Sequence, residues 1–274
     1  MAILMNPHPK FLLAACLLVL APASRCLAQD TPAPSAKPTA GQRFLRLLPL
    51  GEPPPFRQEI RDGIRYEVEP EPGSIPPRQI VLGEGETAVA LRLNLGRATD
   101  RAKIPAGTAP VGLRAVASSP DTPPAPWLTL RPPETGDMLA LVWRDAGKPW
   151  SLPRAMILPD SATEFPSGSI RIVNLLPVES ALIIGEERVL LGAGKTLVKA
   201  IAMGADLTLQ TAYRDPAGKL LRFYSGSVLL NINERAQVVL HRADGENPRR
   251  LAKVVIFNEL TPGAPAEKPA APPP

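Results

Sequence analysis

Cysteine is almost missing from this chain. The 274 residues contain two cysteines, Cys16 and Cys26, and both lie within residues 1–28. The remaining residues can therefore form no disulfide, so their stability has to come from packing alone. The same scarcity excludes cysteine nucleophiles and cysteine-rich zinc sites from the rest of the chain.

Histidine is equally scarce. The sequence contains two histidines, and beyond the leading segment only His241 is left. Catalytic triads and paired-histidine zinc sites need residues that this composition hardly supplies. We therefore expect a non-enzymatic protein with no cofactor and no metal. His241 alternates with Val239 and is expected to be a packed or half-exposed strand residue.

Long apolar runs are absent beyond residues 1–28. That segment combines Lys10, an apolar run from Phe11 to Ala23, and the small-x-small ending Cys26-Leu27-Ala28, which is typical of a secretory signal peptide. A lipoprotein alternative rests on Leu13–Cys16, which has lipobox composition. No later run approaches the roughly 18 residues of a membrane helix. We expect an exported protein, periplasmic or extracellular, without a transmembrane segment in the mature chain.

A strong excess of one charge is absent as well. The predicted signal peptide contains Lys10 and Arg25 and no acidic residue, so 31 basic residues fall to 29, against 26 acidic ones. A protein that holds a phosphate backbone normally shows a basic stripe, whereas these arginines alternate with glutamates and prolines. The sequence therefore argues against nucleic acid as a partner. It favours an envelope or extracellular protein, or a glycan.

Sustained helical periodicity is almost absent, and the sequence instead shows short β-prone runs between turn residues. Asp62-Gly63 predicts a hairpin turn between strands Gln58–Arg61 and Ile64–Val68, and Asp215–Gly218 predicts another. This pattern is typical of an all-β chain that forms Greek-key sandwiches. Further strands are predicted at Arg43–Leu48, Val89–Leu95, Leu128–Leu130, Met138–Trp143, Ile170–Leu175, Val228–Ile232, Gln237–His241 and Val254–Asn258.

Internal similarity is the most informative feature that the chain does contain. Val81–Thr87 and Leu190–Thr196 share Leu-Gly-x-Gly-x-Thr, and Leu47–Pro49 matches Leu175–Pro177. The longest match pairs Leu141, Asp145, Pro149, Ile157 and Asp160 with Leu240, Asp244, Pro248, Ile256 and Glu259. All three matches occur in the same order in both halves, which predicts a tandem duplication.

The duplication predicts two domains between Pro-rich ends. We expect a signal peptide at 1–28, a disordered linker at 29–41, sandwich domains at 42–162 and 168–260, and a disordered tail at 261–274. The first domain has additional residues in 51–77 and 100–126. Because loops carry function more often than scaffolds do, we expect a working surface there, although neutral loop growth is the alternative.

Candidate binding residues lie around these additional segments. Glu67, Glu69 and Glu71 alternate, so on a strand their carboxylates would share one face about 7 Å apart. Such a row could supply a calcium site or an acid/base pair, and its structural alternative is a solvated face that discourages edge pairing. Arg57 and Arg65 are the basic candidates in the same segment.

Two tryptophans bracket the turn Arg144–Pro149. Trp143 is expected to plug the core or its rim, and Trp150 to be exposed, where it could stack on a sugar ring or a partner. Trp150 is therefore the aromatic candidate for binding.

Two glycine turns recur in the repeat, at Gly83 and Gly85 and at Gly192 and Gly194. Gly192–Thr196 has the ending of a phosphate-binding loop. Val189 stands where that motif needs glycine, and the flanks are typical of strands, so no nucleotide is expected. The four glycines are expected to supply positive φ between paired strands.

The tandem-sandwich pattern behind a signal peptide resembles bacterial secreted immunoglobulin-like modules, and the run from Phe56 to Gly83 resembles uncharacterised exported proteins of the verrucomicrobial kind. These resemblances imply an exported β-sandwich protein with a binding or structural role, and they assign no residue a role. Three alternatives stay open. An assembly chaperone would donate a strand such as Val111–Val116 or Val89–Leu95, a carbohydrate-binding protein would use Trp150, and a glycan-active enzyme would use Glu67 and Glu69.

Overall fold

The computed structural model describes residues 42–116, 123–215, 217–246 and 251–262, which all belong to one compact unit. Within them the chain is all-β, and its only helical element is a short 3-10 turn at Gly85–Thr87. The described part contains no helix with the length and apolar character needed to cross a bilayer. The predicted signal peptide, the predicted linker and most of the predicted tail lie outside the described residues.

The strands fall into two consecutive sets. The first set consists of β1 Arg43–Leu50, β2 Gln58–Arg61, β3 Ile64–Glu67, β4 Gln79–Leu82, β5 Val89–Arg92, β6 Ala102–Ile104, β7 Val111–Ala115, β8 Ala125–Leu130, β9 Met138–Trp143 and β10 Arg154–Pro159. The second set consists of β11 Ser169–Asn174, β12 Ser180–Ile184, β13 Glu187–Leu191, β14 Thr196–Ala200, β15 Leu207–Arg214, β16 Leu220–Val228, β17 Glu234–Arg242 and β18 Ala252–Leu260.

Each set forms two four-stranded sheets. The first set gives the orders β10-β9-β1-β6 and β5-β4-β7-β8, and the second gives β18-β17-β11-β14 and β13-β12-β15-β16. In both sets the first strand runs parallel to the next-to-last one, β1 to β9 and β11 to β17. Apart from the separate pair β2 and β3, the two halves therefore have the same strand order.

Three apolar cores hold the sheets together. Leu47, Ala140 and Trp127 belong to the core between the two sheets of the first half. An equivalent core fills the second half. A third core lies between the halves and includes Leu141 and Val239. The sheets that contain β1 and β11 are thus buried on both faces, which explains the almost continuous apolar sequence of β9.

A buried charged network closes one end of the interface between the halves. Asp160 accepts hydrogen bonds from Arg46 Nε at 2.8 Å and from Arg235 Nη2 at 2.7 Å. Glu259 accepts from the same two arginines, from Arg46 Nη2 at 2.9 Å and from Arg235 Nε at 2.9 Å. Arg171 Nη2 lies 3.7 Å from Asp160. Three guanidinium groups therefore share two carboxylates.

The network keeps its charges despite burial. Burial opposes ionisation of Glu259, but the hydrogen bond and charge of Arg46 and the charge of Arg235 outweigh it and lower the pKa of that carboxyl. Burial lowers the pKa of Arg171 to about 10, which still leaves its guanidinium charged at neutral pH. The carboxylates are thus needed to compensate the buried arginines.

The structure corrects the details of two sequence matches. Leu141 faces the core between the halves, whereas its sequence match Leu240 faces the core of the second half. Because successive strand residues face opposite sides, the sequence match of Leu141 with Leu240 is displaced by one residue from the structural one. The match of Gly83 and Gly85 with Gly192 and Gly194 pairs the turn after β4 with the turn after β13. In the sheets, however, β13 has the position of β5, and β4 corresponds to β12. Asp160 and Glu259, by contrast, do meet in one network.

Candidate functional site

The hairpin β2–β3 is the part of the first half that the second half lacks. It lies between β1 and β4, in residues 51–78, whereas only residues 175–179 connect β11 to β12. Its two strands pair with each other and with no other described strand. Asp62 and Gly63 both have positive φ, 53° and 80°, which is the backbone of a type I′ turn. We call residues 56–68 the hairpin arm.

The hairpin arm exposes apolar side chains on both faces. The register places Arg61 and Ile64 on one face and Ile60 and Arg65 on the other. All four residues are exposed, so neither face of the ribbon is covered. Its five large exposed hydrophobic residues have relative exposures of 66%, 68%, 58%, 44% and 38% for Phe56, Ile60, Ile64, Tyr66 and Val68. A two-stranded ribbon is marginally stable by itself, and a cluster of exposed apolar groups is typical of an interaction surface.

The base of the hairpin arm is tied to both halves of the chain. Arg57 Nη2 lies 2.9 Å from each carboxylate oxygen of Glu246, in the loop after β17. The same guanidinium lies 3.6 Å from Glu71 on the other side of the arm. All three side chains are at least half exposed, so the pairs orient the arm more than they stabilise it.

Trp150 is buried, and the prediction that it would be exposed is wrong. Its side chain has 1% relative exposure and belongs to the core of the first half. The backbone N–H of Trp150 donates to the carbonyl of Gly73 at 2.8 Å, and its carbonyl accepts from Trp127 Nε1 at 2.6 Å. The loop after β9 thus folds back against the first half, and Trp150 anchors the end of the additional segment with its indole buried, where a sugar ring could not stack on it.

The carboxylate row of the sequence is not a row in space. β3 ends at Glu67, so Glu69 and Glu71 lie beyond the strand and lose its alternation. All three side chains are exposed, and the described residues contain no group of three or more His, Cys, Asp or Glu side chains positioned to hold a metal ion. Arg65 is exposed opposite Ile60. Of the five predicted binding residues, Arg57, Arg65 and Glu67 lie on the arm itself.

A polar cluster, centred on the partly buried Glu52, lies next to the base of the arm. Glu52 accepts from Lys253 at 2.7 Å and from the N–H of Gly245 at 3.1 Å. Burial opposes ionisation of Glu52, but these hydrogen bonds outweigh it and lower its pKa. His241 is 3% exposed, and burial lowers its pKa. Asp244 binds Arg144 at 2.6 Å, so these groups join the arm's base to the second half.

The predicted glycine turns and the two candidate donor strands can be located in the structure. Gly83, Gly85 and Gly194 adopt positive φ, as predicted, and Gly192 does not. Gly83 and Gly85 lie between the paired strands β4 and β5. The prediction of paired strands is wrong for the second turn, because β13 and β14 belong to different sheets. The segment Val111–Val116 contains β7, which lies between β4 and β8 and could not be donated without opening that sheet. The segment Val89–Leu95 contains β5, an edge strand.

Sequence reasoning missed the apolar residues that mark the arm. Ile60 and Ile64 were predicted as strand residues, and the exposed Arg57 and Arg65 drew attention to the charges. A partial signal was present in the sequence, because Ile60 and Ile64 flank the Asp62-Gly63 turn, and a two-residue turn pairs its flanking strands with each other. In the comparisons with known proteins, no family model matches the chain, and no curated protein matches it significantly.

Proposed function

We propose that the chain is an exported, non-enzymatic protein that binds an envelope or extracellular protein through the hairpin arm. The observation that carries the proposal is the freestanding ribbon with Ile60, Ile64 and Tyr66 exposed. Burial of one such side chain in a partner contributes about 1.5–3 kcal/mol. The arm is also the element that distinguishes the first half from the second.

We further propose that the two halves are duplicated immunoglobulin-like sandwiches. Their identical strand order supports the duplication, as does the position of Asp160 and Glu259, which both bind Arg235 in one network. In this proposal one copy gained a hairpin between its first two strands, while the scaffold kept its order. Export is supported by the sequence of residues 1–28. If export is correct, removal of residues 1–28 will retain the protein in the cytoplasm, and unchanged fractionation would contradict it.

Matched substitutions test the binding role. Ile60 and Leu190 have 68% and 67% relative exposure, and Leu190 lies on β13 in the second half. Purified wild-type, Ile60→Asp and Leu190→Asp proteins would be immobilised and exposed to envelope extract of the producing cells. A partner retained by wild type and Leu190→Asp but lost from Ile60→Asp supports the arm. Equal retention by all three proteins would exclude it.

A further inference from the structure

A second surface lies at the junction of the two halves, outside the hairpin arm. It is a cleft of about 630 Å³. The first half contributes Trp143, Arg154 and Met156, and the second contributes Leu175, Pro177 and Arg242. Met156 and Leu175 also pack against the core between the halves. We call this space the junction cleft, and its size is that of a small-ligand site.

The three arginines of the junction cleft differ in how strongly acidic side chains compensate their charges. Arg144 is 13% exposed and bound to Asp244, so its charge is compensated. Arg154 lies 3.2 Å from Asp145, with 62% and 55% side-chain exposure, and such an exposed pair is weak and easily exchanged. Arg242 is exposed, and among the described residues its guanidinium has no ion pair. Within the described part of the chain, the cleft therefore presents one arginine without an ion pair, Arg242, beside one that is held only by an exposed pair, Arg154.

A comparison of equivalent positions in the two halves shows how Arg242 differs from Arg144. Val142 is the last residue of β9 that faces the core of the first half, and Leu240 is the last residue of β17 that faces the core of the second half. Trp143 is thus the structural counterpart of His241, and Arg144 of Arg242. One arginine closes the junction through Asp244, whereas the other faces solvent beside the cleft.

Trp143 gives the cleft a flat apolar wall. The indole is half-buried, and the guanidinium carbon of Arg154 lies 5.8 Å from its ring centroid. An aromatic face beside planar guanidinium groups suits a ring that carries a carboxylate, because the ring stacks while the arginine fork binds the anion. Met156 and Leu175 add apolar side chains beside the indole, and the charged side chains share the rest of the lining.

We propose that the junction cleft binds an acidic saccharide, with a uronic acid ring against Trp143 and its carboxylate bound by Arg242 and Arg154. The site does not depend on the partner proposed for the hairpin arm. Arg154 and Arg242 are both exposed, so added salt screens their attraction for the carboxylate and binding weakens. A neutral sugar of the same ring would gain only the stacking contact.

Calorimetric titration of the full chain tests the site. The probes are a galacturonic acid trisaccharide and the corresponding neutral galactose trisaccharide. The expected result is binding of the acidic probe, at least about tenfold weaker in Arg242→Gln because a charge-assisted hydrogen bond is lost. Arg222→Gln is the matched control, since Arg222 is an exposed arginine on β16, away from the cleft.

Further variants separate stacking from charge. Trp143→Phe is expected to retain weakened binding, and Trp143→Ala to abolish it, with thermal unfolding confirming that both variants fold. Equal affinity for the neutral trisaccharide, no binding of either probe, or unchanged affinity in Arg242→Gln would overturn the proposal. Equally tight, Arg242-dependent binding of an oligoglutamate peptide would also overturn it, because the site would then read only carboxylates.

Discussion

Replacing Asp160 by asparagine isolates the contribution of the buried network between the two halves. The carboxylate is 2% exposed and touches Arg46 and Arg235, with Arg171 at 3.7 Å. Asparagine has nearly the same shape, so the substitution removes the charge and leaves the packing. After it, Glu259 is the remaining carboxylate of the network; it contacts Arg46 and Arg235, and Arg171 loses its only ion pair among the described residues.

The loss of stability follows from that imbalance. Removing one partner of a buried ion pair costs about 3–5 kcal/mol, because the remaining charge stays buried without compensation. With a urea dependence of about 3 kcal/mol per M, the unfolding midpoint should fall by roughly 1–2 M. Arg171→Met removes one buried cation, so in the Asp160→Asn background it should cost much less than in wild type, or stabilise the protein.

Urea unfolding followed by circular dichroism measures these effects. Asp145→Asn is the matched control, because Asp145 pairs with an arginine in solvent, at 55% exposure, and should lose no more than about 1 kcal/mol. If Asp160→Asn and Asp145→Asn lose the same small amount, or if Arg171→Met is equally costly in both backgrounds, the network does not hold the halves together as described.

Three further predictions concern other parts of the chain. His241 has a lowered pKa, so the unfolded state takes up its proton first and stability should fall as pH drops below about 6.5; Gln at this position should remove that loss in pH-dependent unfolding, and an unchanged profile would contradict it. Gly63→Val should open the hairpin, because φ is +80° there, with faster proteolysis in the arm and an unchanged melting temperature; a protected arm would count against this. Trp150→Ala should cost about 3–5 kcal/mol in chemical denaturation, and a cost below about 1 kcal/mol would mean that the indole is not part of the core.

The sequence was sufficient to predict turns that depend on particular residue types. It was not sufficient to predict which way side chains face at the ends of strands. The Asp62-Gly63 turn was predicted correctly because positive φ at both residues is a property of those two residue types. Met138–Trp143 was predicted with the bounds that the structure gives. Val228–Ile232 was wrong, because β16 ends at Val228.

The contacts between the halves were hidden for a physical reason. A strand that is buried on both faces has no alternation to read, and Leu47 and Leu48 face different cores. Trp150 follows a turn, where local pattern does not fix whether the chain folds back over the core. Arg46 and Arg171 were readable in principle, as charged residues inside apolar strands, yet only long-range pairing brings them to Asp160.

Photo-crosslinking in the producing cells tests the proposed binding role of the hairpin arm most directly. The probes would replace Ile60 and Ile64, and the control probes would replace Leu190 and Leu220, which are exposed apolar residues of the second half. The account predicts one dominant protein adduct from the two arm positions and none of it from the controls. No adduct from the arm, or the same adducts from all four positions, would contradict it.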